Sequence, residues 1–252
     1  MKASTILGFF LAGLVAAVDP IENCIANGTI QANGYTLRNA QFNPQAIGNQ
    51  CISDLSPVEA PSLAWPTHWN WAASHSESAT SFANAQLNFA ATPLSSIASI
   101  RSNWYFTSQI DPDSVASIAY YLFAGATCNG PPAFEIQIRL ASYGEPPIVS
   151  SLGDEGSPKP AYVICSRGVS YRLYKGTERG LTVFTFVASG NLDEYSGDLR
   201  VFLRILESKG ELPETQCLTR IHAGAQVFDG VGALKTLIYS TSIGVSSYGV
   251  IN

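Results

Sequence analysis

The chain has 252 residues, of which 46% are hydrophobic and 13% charged, and its formal net charge is -5 at pH 7. The negative charge and the lack of any Lys/Arg run argue against nucleic acid or an anionic membrane as a partner, because both need a basic surface. A neutral polymer remains compatible with a chain rich in Ser, Thr, Asn, Gly and aromatic residues. Such a composition is common in secreted β proteins that handle carbohydrate.

The N-terminal segment, residues 1–17, has the pattern of a secretory signal peptide. Lys2 is followed by an apolar run from Ile6 to Val15 and by small residues at Ala16 and Ala17. The apolar run is too short to span a bilayer. We therefore expect cleavage near Ala17 and a secreted, soluble, monomeric protein whose residues 18–252 form one domain.

The mature part carries five cysteines, which an oxidising compartment allows to form disulfides. Cys24 paired with Cys51 is the favoured disulfide, since it would close the first hairpin-like segment. The remaining cysteines are Cys128, Cys165 and Cys217, and their pairing is left open. Three scattered histidines and no CxxC pair predict no metal site, and we expect no cofactor. Asn27-Gly28-Thr29 is an N-glycosylation sequon, expected at the surface.

Short alternating segments separated by Gly, Pro, Asn and Asp clusters follow from Tyr35 onwards and predict β-strands. The predicted strands are residues 36–42, 62–71, 81–89, 97–105, 115–123, 134–143, 162–164, 169–175, 181–188, 220–228 and 234–243. The Gly/Pro/Ser-rich stretch 143–160 is predicted to be a surface loop. About eleven strands suit two packed sheets.

One segment has helical periodicity, with Leu199, Phe202, Leu203 and Leu206 on one side and charged residues on the other. Ser196 is the predicted N-cap, Asp198 falls in the first turn, and Gly210 ends the helix. We expect this helix to pack on the outside of one sheet.

Residues 134–144, FEIQIRLASYG, alternate with a period of two. Phe134, Ile136, Ile138 and Leu140 share one face of the predicted strand. The other face carries Glu135, Gln137 and Arg139, so a carboxylate is presented on a rigid support. A solvated strand face is the alternative interpretation, because alternating strands usually turn polar residues outwards.

The order of several segments resembles glycoside hydrolase family 12 over nearly the whole mature chain. The matching segments are ANGYTLRN, AWPTHWNW, SIAYYLF, FEIQIRLASYG, FTFVAS, EYSGDLRVFLRIL and GAQVFDGVG. The resemblance implies an all-β fold, a β-jelly-roll sandwich of two curved antiparallel sheets with one packed α-helix. It also implies a secreted endoglucanase or xyloglucanase with a long cleft for a β-1,4-glucan chain.

By this resemblance Glu135 occupies the position of the nucleophile of a retaining glycosidase. The general acid/base comes from a late Gly-x-Glu-x-Phe segment in the family, and here Gln226 replaces that Glu. An amide can donate a hydrogen bond but cannot deliver a proton or accept one from water. Asp229 is a candidate replacement acid, although a turn-forming role before Gly230 is the favoured interpretation.

Further positions around the expected nucleophile also depart from the family pattern. Tyr121 stands where the resemblance predicts an Asp, and Gln137 and Arg139 replace apolar and aromatic residues. Arg139 shares a face with Glu135, where its charge would hold the carboxylate ionised and paired.

Aromatic residues supply candidate sugar-stacking platforms in the expected cleft. Phe42 matches a cleft Trp of the family, and Trp69 belongs to its Trp-rich strand together with Trp65 and Trp71. Core packing is the favoured alternative for these tryptophans. His222 shares a face with Gln226 and is assigned no role.

The leading hypothesis is a family 12-like protein with lost or impaired hydrolysis, which binds β-glucan or acts as a decoy for a protein inhibitor or receptor of active relatives. The runner-up is an active retaining endo-β-1,4-glucanase or xyloglucanase with Glu135 as nucleophile. A lectin-like jelly-roll outside the β-glucan group is the third hypothesis.

Overall fold

The computed structural model describes residues 21–57, 60–72, 78–154 and 157–246. The predicted signal peptide, residues 1–17, lies outside these ranges. The strands are β1 Ile21–Asn23, β2 Thr29–Ala32, β3 Tyr35–Gln41, β4 Gly48–Asp54, β5 Leu63–Trp71, β6 Ser81–Leu87, β7 Thr92–Pro93, β8 Ile97–Ile110, β9 Val115–Gly125, β10 Phe134–Tyr143, β11 Gly153–Asp154, β12 Ser157–Pro158, β13 Tyr162–Ser166, β14 Val169–Glu178, β15 Leu181–Ala188, β16 Glu194–Asp198 and β17 Cys217–Val245. A 3-10 turn spans Leu94–Ser96 and the helix α1 spans Arg200–Ser208. None of the helices in the described ranges is long and apolar enough to cross a membrane.

Two sheets form a sandwich, as the sequence predicts. The front sheet has the order β2-β3-β6-β17-β9-β10-β15-β14-β13, and the back sheet has the order β1-β4-β5-β17-β8-β16. Neighbouring strands are antiparallel except for β10 and β15, which are parallel. This pair is the exception in the antiparallel sheets that the resemblance implies, and it forms because the chain passes through β13 and β14 before β15 pairs with β10.

The long strand β17 belongs to both sheets. Residues up to Asp229 pair with β6 and β9, and residues from Gly230 pair with β5 and β8. Gly230 has φ +87°, and a Cβ there would lie 2.3 Å from Oγ of Ser114. A residue with a side chain is strained and crowded at this bend. The two strands predicted at 220–228 and 234–243 are consequently one strand that changes sheets.

The core lies between the sheets and is built by the alternation that the sequence predicts. Ile136, Ile138 and Leu140 of β10 are fully buried on its inner face. Trp65 and Trp104 stack at the centre with ring centroids 6.1 Å apart. The polar residues of β10 are thereby directed to the opposite, open face of the front sheet.

The helix packs on the inner faces of the sheets, which corrects the expected position outside one sheet. Phe202 contacts Tyr171 and Phe186 of the front sheet at 5.2 and 5.0 Å, measured between ring centroids. The strongly apolar side of α1 closes an end of the core that would otherwise be open to water.

The start of α1 also differs from the prediction. Ser196 lies in β16, where its hydroxyl donates to Oδ1 of Asn103, and the N-cap position is Leu199. Oδ1 of Asp198 accepts the backbone N–H of Arg200 at 3.0 Å, so the carboxylate satisfies the first turn instead of Ser196. Gly210, with φ +71°, ends the helix as predicted.

Two disulfides join described residues. The predicted bond between Cys24 and Cys51 is confirmed, and a second bond joins Cys128 to Cys217. Cys165 is free and exposed.

Candidate active-site cleft

A cleft of about 630 Å³ lies on the open face of the front sheet. Its floor comes from β3, β6, β17, β9 and β10, and the turn between β14 and β15 forms one wall. Alternate residues of each strand point into it because side chains alternate between the two faces of a sheet. The solvated-face interpretation of the FEIQIRLASYG strand is therefore replaced by a cleft.

Glu135 is half-buried on the cleft floor. Its register partners are Phe123 of β9 and Val183 of β15, and its Oε1 accepts a 2.8 Å hydrogen bond from Nε2 of Gln137. Burial raises the pKa of Glu135 above its ordinary value of 4.5. The hydrogen bond from Gln137 opposes this shift, and the charge of Glu178 adds to it.

Arg139 contacts Gln137 rather than Glu135. Its Nε and Nη2 donate to Oε1 of Gln137 at 3.2 and 3.0 Å, and Nη1 and Nη2 donate to the carbonyls of Pro146 and Pro147 at 3.2 and 2.8 Å. Gln137 lies between the two charges on the same strand face, so Arg139 reaches Glu135 only through that amide. The expected direct ion pair is corrected, although the charge of Arg139 still opposes the rise that burial causes in the pKa of Glu135.

The residues after β10 form part of the cleft. The predicted surface loop contains the short hairpin β11–β12, and its Pro147 and Val149 line the cleft beside Arg139. Arg139 is 2% exposed, and the prolyl carbonyls satisfy its buried donors. This loop is fixed to the floor by a buried side chain rather than lying freely at the surface.

The two substituted positions Tyr121 and Gln226 are in direct contact. The phenol of Tyr121 donates a 2.6 Å hydrogen bond to Oε1 of Gln226. Burial raises the pKa of Tyr121 to about 12, so the phenol keeps its proton near neutral pH. Phe82 packs on the Tyr121 ring with centroids 4.7 Å apart. Where the resemblance predicts two carboxylic acids, the cleft therefore holds a phenol and an amide bonded to each other.

The candidate stacking residues have separate positions. Phe42 lines the cleft and is 47% exposed, so its ring is available to a ligand. Trp69 is 1% exposed within the core, together with Trp65 and Trp71. The expected contact between Trp69 and substrate is corrected, since its place on β5 directs the ring between the two sheets.

Asp229 is buried at the end of the front-sheet part of β17, next to the bend at Gly230. Among the described residues, the carboxyl groups that line the cleft are Glu135 and Glu178. Asp229, Glu145 and Asp154 are outside this lining. The position of Asp229 therefore does not support it as a replacement for the general acid.

Several cleft residues are missed by sequence reasoning. Glu178 and Arg179 lie at the β14–β15 turn, Arg38 on β3 and Arg220 on β17. The period-two pattern that places His222 on the same face as Gln226 also places Arg220 there, and this signal could have found it. Nothing local in the sequence reveals Arg38 or Glu178, because their strands reach the cleft through long-range pairing.

His222 is a neutral imidazole in the cleft floor. Burial lowers its pKa to about 3, and the charges of Arg220 and Arg38 add to this effect. Its ring lies 5.6 Å from the Phe123 ring and 6.1 Å from the Phe82 ring, measured between centroids. Its Nε2 is buried and has no hydrogen-bond partner among the described residues.

A cluster of three potential metal-ligand atoms occurs away from the cleft, where Glu22, Cys51 and His68 lie within 4.8 Å of one another. Cys51 is bonded to Cys24, and a disulfide sulfur is not the thiolate that binds metals. This donor set therefore does not fit a metal ion.

Comparison with known proteins decides the family. The model of glycosyl hydrolase family 12 matches residues 33–244. The chain belongs to this family. The match includes every cleft residue from Arg38 to Phe228.

Family 12 relatives cover nearly the whole chain. A protein of Aspergillus flavus named probable xyloglucan-specific endo-beta-1,4-glucanase A is 36% identical over 92% of this chain and 95% of its own length. The xyloglucan-specific endo-beta-1,4-glucanase A of Emericella nidulans is 35% identical over 78% of this chain and 79% of its own length. The crystal structure of family 12 endoglucanase 3 from Trichoderma harzianum has a TM-score of 0.81 at 24% identity, covering 91% of this chain and all of that one. The predicted family 12 jelly-roll is confirmed.

Proposed function

We propose that this protein binds β-1,4-glucan chains of the xyloglucan or β-glucan type in the front-sheet cleft and hydrolyses them weakly or not at all. Family membership and the names of the relatives at 36% and 35% identity support the substrate class. The half-exposed ring of Phe42 supports sugar stacking at the cleft.

The contact between Tyr121 and Gln226 carries the proposal of impaired hydrolysis. A retaining glycosidase needs two carboxyl groups about 5 to 5.5 Å apart, one as nucleophile and the other as acid and then base. Gln226 occupies the acid/base position by sequence, and its amide oxygen already accepts the phenol proton of Tyr121. Neither group can protonate a leaving sugar oxygen and then take a proton from water near neutral pH.

The surroundings of Glu135 also support a weakened nucleophile. Attack on the anomeric carbon requires a carboxylate oxygen that is free to approach it. One carboxylate oxygen accepts the hydrogen bond of Gln137, which stabilises the ground state of the group. Arg139 donates two hydrogen bonds to Oε1 of Gln137 and so fixes the orientation of the amide that donates to Glu135.

The test combines turnover and binding on one purified sample. Reducing ends released from xyloglucan and from mixed β-glucan are measured, and binding to the same polymers is followed by affinity gel electrophoresis. We expect retarded migration in the gels and little or no release of reducing ends. Release at rates normal for an endoglucanase would overturn the loss of hydrolysis, and unretarded migration would overturn glucan binding.

The second candidate function is an active endo-β-1,4-glucanase with Glu135 as nucleophile and Glu178 as a displaced acid. The position of Glu178 in the cleft favours it, because its charge acts on Glu135. If turnover is measured, Glu135→Gln and Glu178→Gln should each abolish it, while Glu194→Gln on the exposed part of β16 should not. Turnover that survives both cleft changes would exclude this mechanism.

The leading proposal also includes a decoy role, in which this protein binds an inhibitor or receptor of active family 12 enzymes. A lectin-like protein outside the β-glucan group would bind mono- or oligosaccharides of other classes and ignore β-glucans. The binding experiment separates these outcomes when an inhibitor of family 12 enzymes and unrelated saccharides are included as probes.

Secretion is proposed from the leader pattern and is compatible with two disulfides in the described part of the chain. Expression of the full chain in a eukaryotic host should yield protein in the medium whose N-terminus lies near Val18. A product retained in the cells with residues 1–17 intact would contradict this.

A further inference from the structure

The cleft lining is positively charged in a protein of negative net charge. Its charged residues among the described part of the chain are Arg38, Arg139, Arg179, Arg220, Glu135 and Glu178. With His222 neutral, four arginines and two glutamates give the lining a formal charge of +2, whereas the whole chain has -5. A neutral glucan needs no such excess of positive charge, so these arginines call for a separate explanation.

Among the described residues, three of the four cleft arginines have no counter-ion in direct contact. Arg139 is bound to Gln137 and two carbonyls, and Arg179 lies 4.0 Å from Glu178. Within the described ranges, the guanidinium groups of Arg38 and Arg220 form neither a hydrogen bond nor an ion pair. Arg220 instead lies over the ring of Phe123, 4.5 Å from its centroid.

Arg38 and Arg220 act on each other electrostatically. Both line the cleft, and the pKa of Arg220 is lowered by burial and further by the charge of Arg38, so the two cations repel each other. Like charges kept together without a counter-ion destabilise a fold unless a ligand neutralises them. A bound oxyanion removes this repulsion and gains charge-assisted hydrogen bonds from both fork-shaped groups.

His222 supplies the second feature of a binding site. Its strand position is between those of Gln86 and Tyr121, and its buried Nε2 has no partner. A neutral imidazole can carry its proton on Nε2 and donate it to an oxygen in the cleft. A buried polar atom without a partner is rare in folded proteins, and a bound ligand would satisfy it.

The strand order separates this group from the expected nucleophile. Arg38 lies on β3 and Glu135 on β10, with the strand of Arg220 and His222 between them. Glu135 is the carboxylate whose charge raises the pKa of Arg220. On the other side of Arg220, the described part of β3 contributes Arg38 and no carboxylate to the cleft lining. Among the described lining residues, the β3 side of the cleft therefore carries positive charge without a carboxylate.

We propose that Arg38, Arg220 and His222 form a subsite for an anionic substituent of the bound glycan, a carboxylate such as that of a uronic acid residue. This inference rests on the proposed glucan binding and makes the preferred ligand an acidic β-1,4-linked saccharide. The carboxylate accepts hydrogen bonds from both guanidinium groups and from Nε2 of His222.

The test compares two ligands with the same β-1,4-linked backbone, one with hydroxymethyl groups and the other with carboxylates at C6. Cellopentaose and cellopentaose oxidised to the carboxylate at C6 are titrated into the purified full-length protein by isothermal titration calorimetry. We expect the oxidised ligand to bind about tenfold more tightly, as charge-assisted hydrogen bonds typically allow. The difference should shrink when the ionic strength rises from about 0.02 to about 0.2 M, because salt screens the exposed part of the interaction.

Arginine variants show which residues cause the preference for the oxidised ligand. Arg38→Met and Arg220→Met should each reduce the preference for the oxidised ligand, measured as the ratio of its affinity to that of neutral cellopentaose, and thermal unfolding shows that the variants fold. Arg101→Met removes the same charge from the exposed face of β8 and should keep the preference.

The remaining outcomes distinguish failure of the anionic subsite from failure of the proposed glucan binding. Equal binding of the two ligands, or a preference that survives both arginine changes, overturns this inference and leaves the proposed function standing. Binding of neither ligand overturns the proposed function together with it. Inorganic phosphate is titrated alone as a third arm, and arginine-dependent phosphate binding without any preference for the oxidised saccharide overturns the saccharide as the source of the anion.

Discussion

Tyr121 and Gln226 are joined by a 2.6 Å hydrogen bond across 105 residues of sequence, and both occupy positions where the family resemblance predicts an acidic residue. The two substitutions are therefore one structural unit. A phenol with a pKa near 12 donates and an amide oxygen accepts, which satisfies both groups without any titratable carboxyl. At these two positions the cleft holds a mutually satisfied polar pair that needs no carboxyl group.

Restoring the acids should restore hydrolysis. In Gln226→Glu alone, the phenol of Tyr121 donates a hydrogen bond to the new carboxylate. This bond favours the ionised form of the carboxylate, so the group is a poor proton donor. The double variant with Tyr121→Asp lets two neighbouring carboxyls share a proton, so we expect a larger gain, on the order of 10² to 10⁴ in rate. Release of reducing ends from β-glucan measures the effect.

Tyr121→Asp with Gln226 retained is the control for this gain and should remain inactive. If the double variant binds glucan but releases no reducing ends, the missing acid is not what prevents hydrolysis.

The pH dependence of stability should reveal the raised pKa of Glu135. Between the pKa of the unfolded chain and the higher pKa of the folded state, the folded protein binds more protons, so the free energy of unfolding falls as pH rises through this window. Glu135→Gln removes this loss and can still accept the hydrogen bond of Gln137. We expect the variant to gain stability over the wild type from about pH 4.5 upwards, with a constant difference at higher pH.

Urea unfolding of both proteins at a series of pH values measures this difference. Glu194→Gln, on the exposed part of β16, is the matched control and should show no such gain. A Glu135→Gln variant that loses stability as pH rises relative to the wild type would contradict the direction of the shift.

Phe42 should contribute to glucan binding through stacking. Replacing its half-exposed ring with alanine removes apolar area that a sugar ring would cover, at a cost of about 1 kcal/mol, roughly fivefold in Kd. Calorimetry with cellopentaose measures the loss. Tyr105→Ala removes an exposed aromatic ring from the back sheet and should leave the affinity unchanged, and an equal loss in both variants would argue against a local contact.

The disulfide between Cys128 and Cys217 should stabilise the front sheet. It links the segment after β9 to the first residue of β17 across 89 residues. Replacing both cysteines with serine should cost about 2 to 5 kcal/mol, because the unfolded chain is then less constrained. Cys165→Ser changes a free, exposed thiol and should stay within about 0.5 kcal/mol of the wild type in guanidinium unfolding. Similar losses in both variants would show that the disulfide itself is not responsible.

The sequence by itself determined the clearly alternating strands from β3 onwards, the helix α1 with its Gly210 stop, and the disulfide of Cys24 and Cys51. The family positions of Glu135 and Gln226 stay a prediction from the order of the motifs. These features depend on short periods of two or 3.6 residues, on nearby cysteines, or on motifs read in order, all of which are local.

Only the tertiary structure decided which side chains meet. The parallel pairing of β10 with β15, the passage of β17 through both sheets and the burial of Trp69 depend on how strands far apart in the chain are arranged. Arg139 bound Gln137 and the prolyl carbonyls instead of Glu135, because burial makes every donor require an acceptor within reach. Arg38 and Glu178 entered the cleft by the same long-range pairing, and no local pattern records it.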